Sequence, residues 1–200
     1  MNKFEQRSKS TYDKMAKDYD NSPEGRFTRT YHQLLLENVK AKPKDLVLDV
    51  ACGNGNLLNS FYQKHSIIGF GTDISTEMIL QAKKRYPYLS FYESACEKLP
   101  FENEHIDTIT VSAAFHHFPD IKAFAKETHR VLKQGGRIYI AEVHWPIFRY
   151  IANMTFPFLS SGDVKIYAPN EIVSCFETAG FKKESVLVEG KIQLIEMSKI

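Results

Sequence analysis

Short, nearly unbroken apolar runs recur along the middle of the chain, separated by longer stretches whose apolar residues fall three and four positions apart. "KDLVLDVA" (44–51), "SIIGFGTD" (66–73), "LSFYE" (89–93), "IDTITVSAA" (106–114) and "RIYIAEV" (137–143) have the length and side-chain character of buried strands. Helical spacing predicts helices after Gly55, over 76–86 and over 121–132, with "KQGG" (133–136) as a turn. Upstream, Tyr12, Met15, Ala16 and Tyr19 stand at i, i+3, i+4 and i+7 within 11–19, one face of a helix. A second helix covers about 26–40, with Leu34, Leu35 and Val39 inward. This alternation calls for a parallel sheet with helices on both faces, wound right-handed into a doubly wound α/β fold. The tail departs from it. After a helix over 170–179, "FKKESVLVE" and "KIQLIEMSKI" are separated only by a turn at Gly190. Strands joined so tightly must be antiparallel, so the seven-stranded sheet is expected to end in a hairpin.

At 200 residues the chain fits a single domain that buries roughly 70% of the surface exposed by its unfolded form. With 26 basic and 24 acidic residues, its formal charge of +2 offers no broad field for nucleic acid or an anionic membrane. Neither is expected as a partner. Cys52, Cys96 and Cys175 are odd in number and widely spaced, which argues against a disulfide framework or a zinc site and fits reduced cytoplasmic thiols. Residues 1–15 lack the apolar core of a signal peptide, so no export is expected. The apolar stretch 145–159 is shorter than a membrane span and contains Arg149 and two prolines. No repeat or linker divides the chain.

The chemistry centres on "LVLDVACGNGNLL" (46–58). In a doubly wound sheet, ligands sit beyond the carboxyl ends of the strands, where the loop after Asp49 lies. Gly53 and Gly55 allow positive φ and close approach of a ligand, and the following helix points its N-terminus there. Asp73 ends the second strand 24 residues beyond Asp49, near the spacing of a ribose-binding carboxylate. The glycines also fit a plain tight turn, and "DIST" (73–76) also fits a helix cap through Ser75. A dinucleotide fingerprint needs a third glycine where Leu58 stands, and Asp49 is an awkward neighbour for a pyrophosphate. A ligand carrying an ammonium and a sulfonium suits the acid better.

Taken together, "TYDKMAKDYD", "VLDVACGNGNLL", "GFGTDIS", "SACEKLPFENEHIDTITVSAAFHHF", "RVLKQGGRIYIAE" and "APNEIVSCFETAGF" resemble the class I S-adenosylmethionine-dependent methyltransferases, the small-molecule group that includes quinone-biosynthesis enzymes. The resemblance covers nearly the whole chain. It implies a Rossmann-like domain that takes S-adenosyl-L-methionine and releases S-adenosyl-L-homocysteine. Asp49, Ala51, Gly53 and Gly55 would surround the methionine portion, Asp73 the ribose and Ile74 the adenine, with Ser112 also counted among the cofactor contacts. Relatives carry an aspartate before "LPF" that contacts adenine. Here that position is Ala95, leaving the Cys96 N–H and Glu97 to make the contact. A missing hydrogen bond of this kind costs on the order of 1.5–3 kcal/mol.

In-line methyl transfer draws mainly on alignment and needs few catalytic side chains. His116 and His117, directly after the fourth strand, are the candidate bases, with lining or capping roles as the alternatives. No carboxylate or cysteine stands beside them at a ligand spacing, so no metal is expected. "SAAF" (112–115) is unlike the motif of enzymes that methylate adenine or glutamine amino groups. Tyr12 and Tyr19 either close over the sulfonium or simply pack their helix. The segment 145–168 is expected to cover an apolar or aromatic acceptor, or to form a dimer face, with helices about 8–40 as a lid. A small-molecule methyltransferase, monomer or homodimer, is therefore the first expectation. A catalytically inactive cofactor-binding protein and a nicotinamide-dependent oxidoreductase are the alternatives.

Overall fold

The computed structural model describes residues 1–159 and 162–200. Seven strands form one sheet: β1 (Leu46–Val50), β2 (Ile68–Asp73), β3 (Ser90–Glu93), β4 (Ile106–Ser112), β5 (Leu132–Val143), β6 (Phe181–Glu189) and β7 (Ile192–Lys199). Their order is β3-β2-β1-β4-β5-β7-β6. β1 to β5 pair in parallel, while β7 is antiparallel to both β5 and β6. The chain order reverses between β1 and β4, the switch point where such sheets bind ligands.

Alternation along the strands assigns the two faces. Val47, Tyr139, Ala141 and Leu194 pack with Tyr31, Leu35, Leu57, Leu58, Phe61 and Ile79 on one face. Those partners come from α2 (Pro23–Asn38), α3 (Asn56–His65) and α4 (Thr76–Arg85). Leu48, Val50, Ile138 and Ile140 pack on the other face with Phe124 and Phe176, from α5 (Ile121–Val131) and α7 (Pro169–Thr178). The expected doubly wound sheet with a terminal hairpin is therefore the architecture present.

Two boundaries differ from the sequence pattern. α1 runs over Lys3–Met15, earlier than the apolar spacing indicates, because Asn2 and Glu5 close a capping box before a polar first turn. Beyond Met15 the chain tightens into a 3-10 helix, Ala16–Asn21, broken at Asp18 (φ −122°, ψ 21°). Tyr12 thus lies on α1, while Tyr19 lies on the 3-10 helix. The second difference is "KQGG", which is a bulge inside β5 and not a separate turn. Ile106 pairs with Leu132 and Thr108 with Arg137, so the residues between loop out while pairing continues on both sides.

The segment 145–168 carries α6 (Arg149–Thr155) and a short 3-10 helix, Phe156–Phe158. Ser160 and Ser161 lie outside the described residues. Phe148, Tyr150, Met154 and Phe158 are exposed to solvent, Phe158 at 86%. Among the described residues no helix is long and apolar enough to cross a membrane.

Candidate active site

A crevice of about 730 Å³, open mouth included, lies at the carboxyl ends of β1, β2 and β4 beneath α1. The loop after β1 contributes Ala51 and Gly53, and the end of β2 contributes Asp73 and Ile74. Cys96 and Glu97 line it after β3, and Ser112 at the end of β4. Tyr12 and Tyr19 face it from the amino-terminal segment, and His117 from the loop before α5. Among the described residues, Asp49, Gly55, Ala95 and His116 are not part of this lining.

Local backbone geometry explains the glycine turn. Ala51 (φ 58°), Gly53 (φ 53°) and Gly55 (φ 84°) are all left-handed, which reverses the chain between β1 and α3. A methyl group placed on Gly53 would meet nothing within 4 Å, so the space beside it belongs to the crevice. On Gly55 it would come within 2.8 Å of Phe91 Cζ, so that glycine is required by packing. Ala51, and Ala113 at φ 48°, are non-glycine residues in strained conformations, and both line the crevice.

Asp73 is held rather than free. Its Oδ2 accepts from the Gly53 N–H at 2.9 Å and its Oδ1 from the Ser75 N–H at 2.8 Å. Burial raises its pKa to about 6 against the pull of those two donors. Asp49 is 2% exposed and accepts from Thr110 Oγ1 at 2.7 Å, its register partner on β4. Burial lifts it to about 7, opposed by the Thr110 hydroxyl and reinforced by the charge of Asp73. Asp49 therefore braces the strand ends from beneath the loop.

The position of Leu58 also gains a physical account. Leu58 is fully buried, and a methyl group on Gly69 would come within 3.1 Å of its Cγ. Close packing of α3 on the sheet is achieved by a glycine on the strand, not on the helix.

The amino-terminal segment is tied down by residues that apolar spacing does not reveal. Asp20 accepts from Asn54 Nδ2 at 2.7 Å and Asn56 Nδ2 at 2.8 Å, and pairs with Arg85. Asp13 accepts from Ser75 Oγ at 2.6 Å and from the Glu77 N–H at 3.2 Å, fastening α1 to the start of α4.

At the far end of the crevice the two histidines part ways. His116 is directed into the protein, where Nδ1 lies 2.8 Å from Glu142 Oε1 and its N–H donates to Oε2 at 3.1 Å. Burial disfavours its charged form, but the Glu142 charge and hydrogen bond prevail and hold its pKa above the ordinary value. His117 faces the crevice with Nε2 3.0 Å from Tyr12 OH. Burial and the neighbouring His116 lower its pKa to about 4. Burial raises the Tyr12 phenol well above its usual range. Asp163, 46 residues downstream of His117, comes within 3.1 Å of His117 Nδ1, off the line of a good hydrogen bond. A carboxylate thus stands beside the pair, supplied by the fold and not by sequence neighbours.

The residues fit a nucleoside ligand bearing an amino-acid tail. Ser112 Oγ and Glu97 Oε1 are buried polar atoms without a hydrogen-bond partner, and both residues line the crevice. With Asp73 and the open space at Gly53, they offer polar partners along a mainly apolar wall of Val50, Ile74, Met78 and Phe118. Glu97 supplies a carboxylate on the same loop as Ala95.

Comparison with known proteins accords with this geometry. A model of the methyltransferase domain matches residues 48–140. The demethylmenaquinone methyltransferase of Chlorobaculum parvum is 36% identical over 106 residues, 53% of this chain and 44% of that protein. The chain spans about half the length of the curated relatives it matches. Among solved structures, a chain of the complex between the Haloferax volcanii Trm112 methyltransferase activator and a methyltransferase superposes with a TM-score of 0.81. It is 21% identical, with 94% of this chain and 96% of that one covered. Geranyl diphosphate C-methyltransferase from Streptomyces coelicolor gives 0.74 at 14% identity, covering 88% and 80%. Both share the fold.

Proposed function

This chain belongs to the class I S-adenosylmethionine-dependent methyltransferases, and from that premise we propose that it methylates a small apolar or aromatic molecule. One juxtaposition carries the proposal: a single crevice joins the Gly53 backbone and Asp73 on one side to Tyr12 and His117 on the other. The naming of a relative for demethylmenaquinone supports an acceptor of quinone type.

In this reading the cofactor supplies a methyl group on a cationic sulfur. Ala51 and Gly53 would flank its amino-acid tail, and Asp73 would accept hydrogen bonds from the ribose hydroxyls. Ile74 and Met78 would pack against the adenine, and Glu97 would accept from it where the methyl side chain of Ala95 cannot. Tyr12 and Tyr19, whose rings stand 6.2 Å apart edge to face, close the lid side and present π-faces to positive charge. Holding the two reactants in line is worth roughly 7–11 kcal/mol of the barrier. For a hydroxyl acceptor, the polar end formed by His117, Tyr12 and Asp163 is where the proton leaves.

The test is methyl transfer to panels of quinols, phenols and amines by the purified chain. A quinol or phenol should be methylated, and His117→Ala should lower turnover at least tenfold, in line with the about 10²–10⁴ typical of a positioned proton acceptor. Its affinity for S-adenosylmethionine should stay within about twofold. Transfer to none of the acceptors counts against the activity, and unchanged turnover in the variant removes His117 from the chemistry.

A further inference from the structure

We infer that His116, His117 and Asp163 form a site for a divalent transition metal of the zinc class. One nitrogen of each ring and one oxygen of Asp163 all lie within 4.8 Å of one another. Asp163 Oδ1 stands 3.1 Å from His117 Nδ1 and 3.6 Å from His116 Nε2. Ligands at zinc–nitrogen and zinc–oxygen distances of about 2.0–2.1 Å in a tetrahedron are separated by roughly 3.3 Å, so these atoms already stand near the edges of a coordination polyhedron.

The outer partners complete the argument. His116 Nδ1 is engaged by Glu142 Oε1 at 2.8 Å, which orients the ring and leaves Nε2 to a metal. Glu142 is itself fixed, fully buried and accepting from the Val143 N–H at 2.6 Å. His117 Nε2 meets Tyr12 OH at 3.0 Å, leaving Nδ1, a buried nitrogen without a hydrogen-bond partner, for the same centre. Each imidazole therefore has one nitrogen occupied by an outer partner and the other turned toward Asp163.

The donor set selects the ion. Two imidazoles and one carboxylate suit zinc, cobalt or ferrous iron, whereas magnesium and calcium prefer oxygen ligands. The three side chains are 11–17% exposed, so the site is accessible to an ion from solvent. Three protein ligands leave a fourth position open, the arrangement of a metal that binds a further oxygen ligand. An ion here would clamp the chain at Gly162 and Asp163 onto the loop between β4 and α5. His117 would then act as a ligand, and activation of an acceptor hydroxyl would pass to the ion.

The test is calorimetric titration of the tag-free full chain, stripped with a chelator, using Zn²⁺ and Mg²⁺ separately. One equivalent of Zn²⁺ should bind, with Mg²⁺ about 100-fold weaker or more. Asp163→Asn, nearly isosteric and on a loop, should weaken Zn²⁺ at least tenfold, and His117→Gln should do the same. Co²⁺ in place of Zn²⁺ should give visible absorption bands that both variants lose, and Zn²⁺ should raise the Tm of the parent chain but not of either variant. No stoichiometric Zn²⁺ binding, or equal binding by the parent and both variants, overturns the site. The readouts need neither S-adenosylmethionine nor an acceptor, so the metal site and the methyltransferase reading fail separately.

Discussion

At the scale of single residues, the two glycines of the first loop do different work and should respond differently to the same change. Gly53→Ala points a methyl group into open crevice at φ 53°, so about 1–2 kcal/mol of backbone strain accompanies direct intrusion on the ligand. S-adenosylmethionine affinity should fall at least tenfold while the chain remains folded. Gly55→Ala drives its methyl group against Phe91, costing about 1–3 kcal/mol of packing on top of strain. Its signature should be a lowered Tm, with affinity nearly retained below that Tm; thermal melts paired with calorimetry separate the two. Asp73 makes a pH prediction. Burial raises its folded pKa to about 6, so as pH rises through the range from 4 to 6 the folded protein holds a proton the unfolded chain has released, and stability falls. With Asp73 binding the ribose as proposed, affinity should run the other way, because the ionised carboxylate is the better acceptor for hydroxyl donors. Calorimetry should therefore show S-adenosylmethionine binding weakening below pH 6, by up to about tenfold per unit, and Asp73→Asn should flatten that slope. A slope unchanged in the variant would assign the titration to another group.

Among elements, two carboxylates, Asp13 and Asp20, fasten the amino-terminal segment, and Asp20 makes the wider set of contacts. Asp20 gathers Asn54, Asn56 and Arg85, joining the 3-10 helix to the loop after β1 and to α4. Asp20→Ala leaves Asn54, 2% exposed, with a buried amide donor unsatisfied, at about 1–3 kcal/mol. A lower Tm is expected and, if the amino-terminal segment closes over the cofactor as proposed, faster cofactor release in stopped-flow measurements; an unchanged release rate would count against that closing role. This tie also shows where sequence patterns lose their grip. The strands β1, β2 and β4 are legible because burial on both faces writes itself as an apolar run, and Asp73 because it closes one of those runs. The start of α1 is not, because its first turns, "KFEQRSKS", are polar and begin on a capping box. "KQGG" reads as a turn because glycine pairs mark turns and bulges alike, and only the register of β4 on β5 distinguishes them. Asp20 and Asp13 carry no periodicity at all, since each works through hydrogen bonds to residues dozens of positions away.

Across the whole molecule, the fold assembles the site from segments that no local motif connects. The β1 loop, the end of β2 and the loop after β4 meet because the strand order reverses between β1 and β4. Asp163 reaches His117 only through the return of the chain after α6, and Glu142 reaches His116 from the adjacent strand β5. The polar end of the crevice is accordingly legible as two histidines and illegible as a cluster. By composition the aromatic residues of 145–159 fit either a cover over an acceptor or a dimer face; in the fold Phe148, Tyr150 and Phe158 face solvent, which only the path of the backbone reveals. All of this rests on the crevice taking a nucleoside with an amino-acid tail. Isothermal titration of the purified chain with S-adenosylmethionine, S-adenosylhomocysteine and NAD tests that most directly. One equivalent of each sulfur compound should bind, and NAD should give no heat beyond dilution; binding of NAD alone, or of none of the three, would contradict the account.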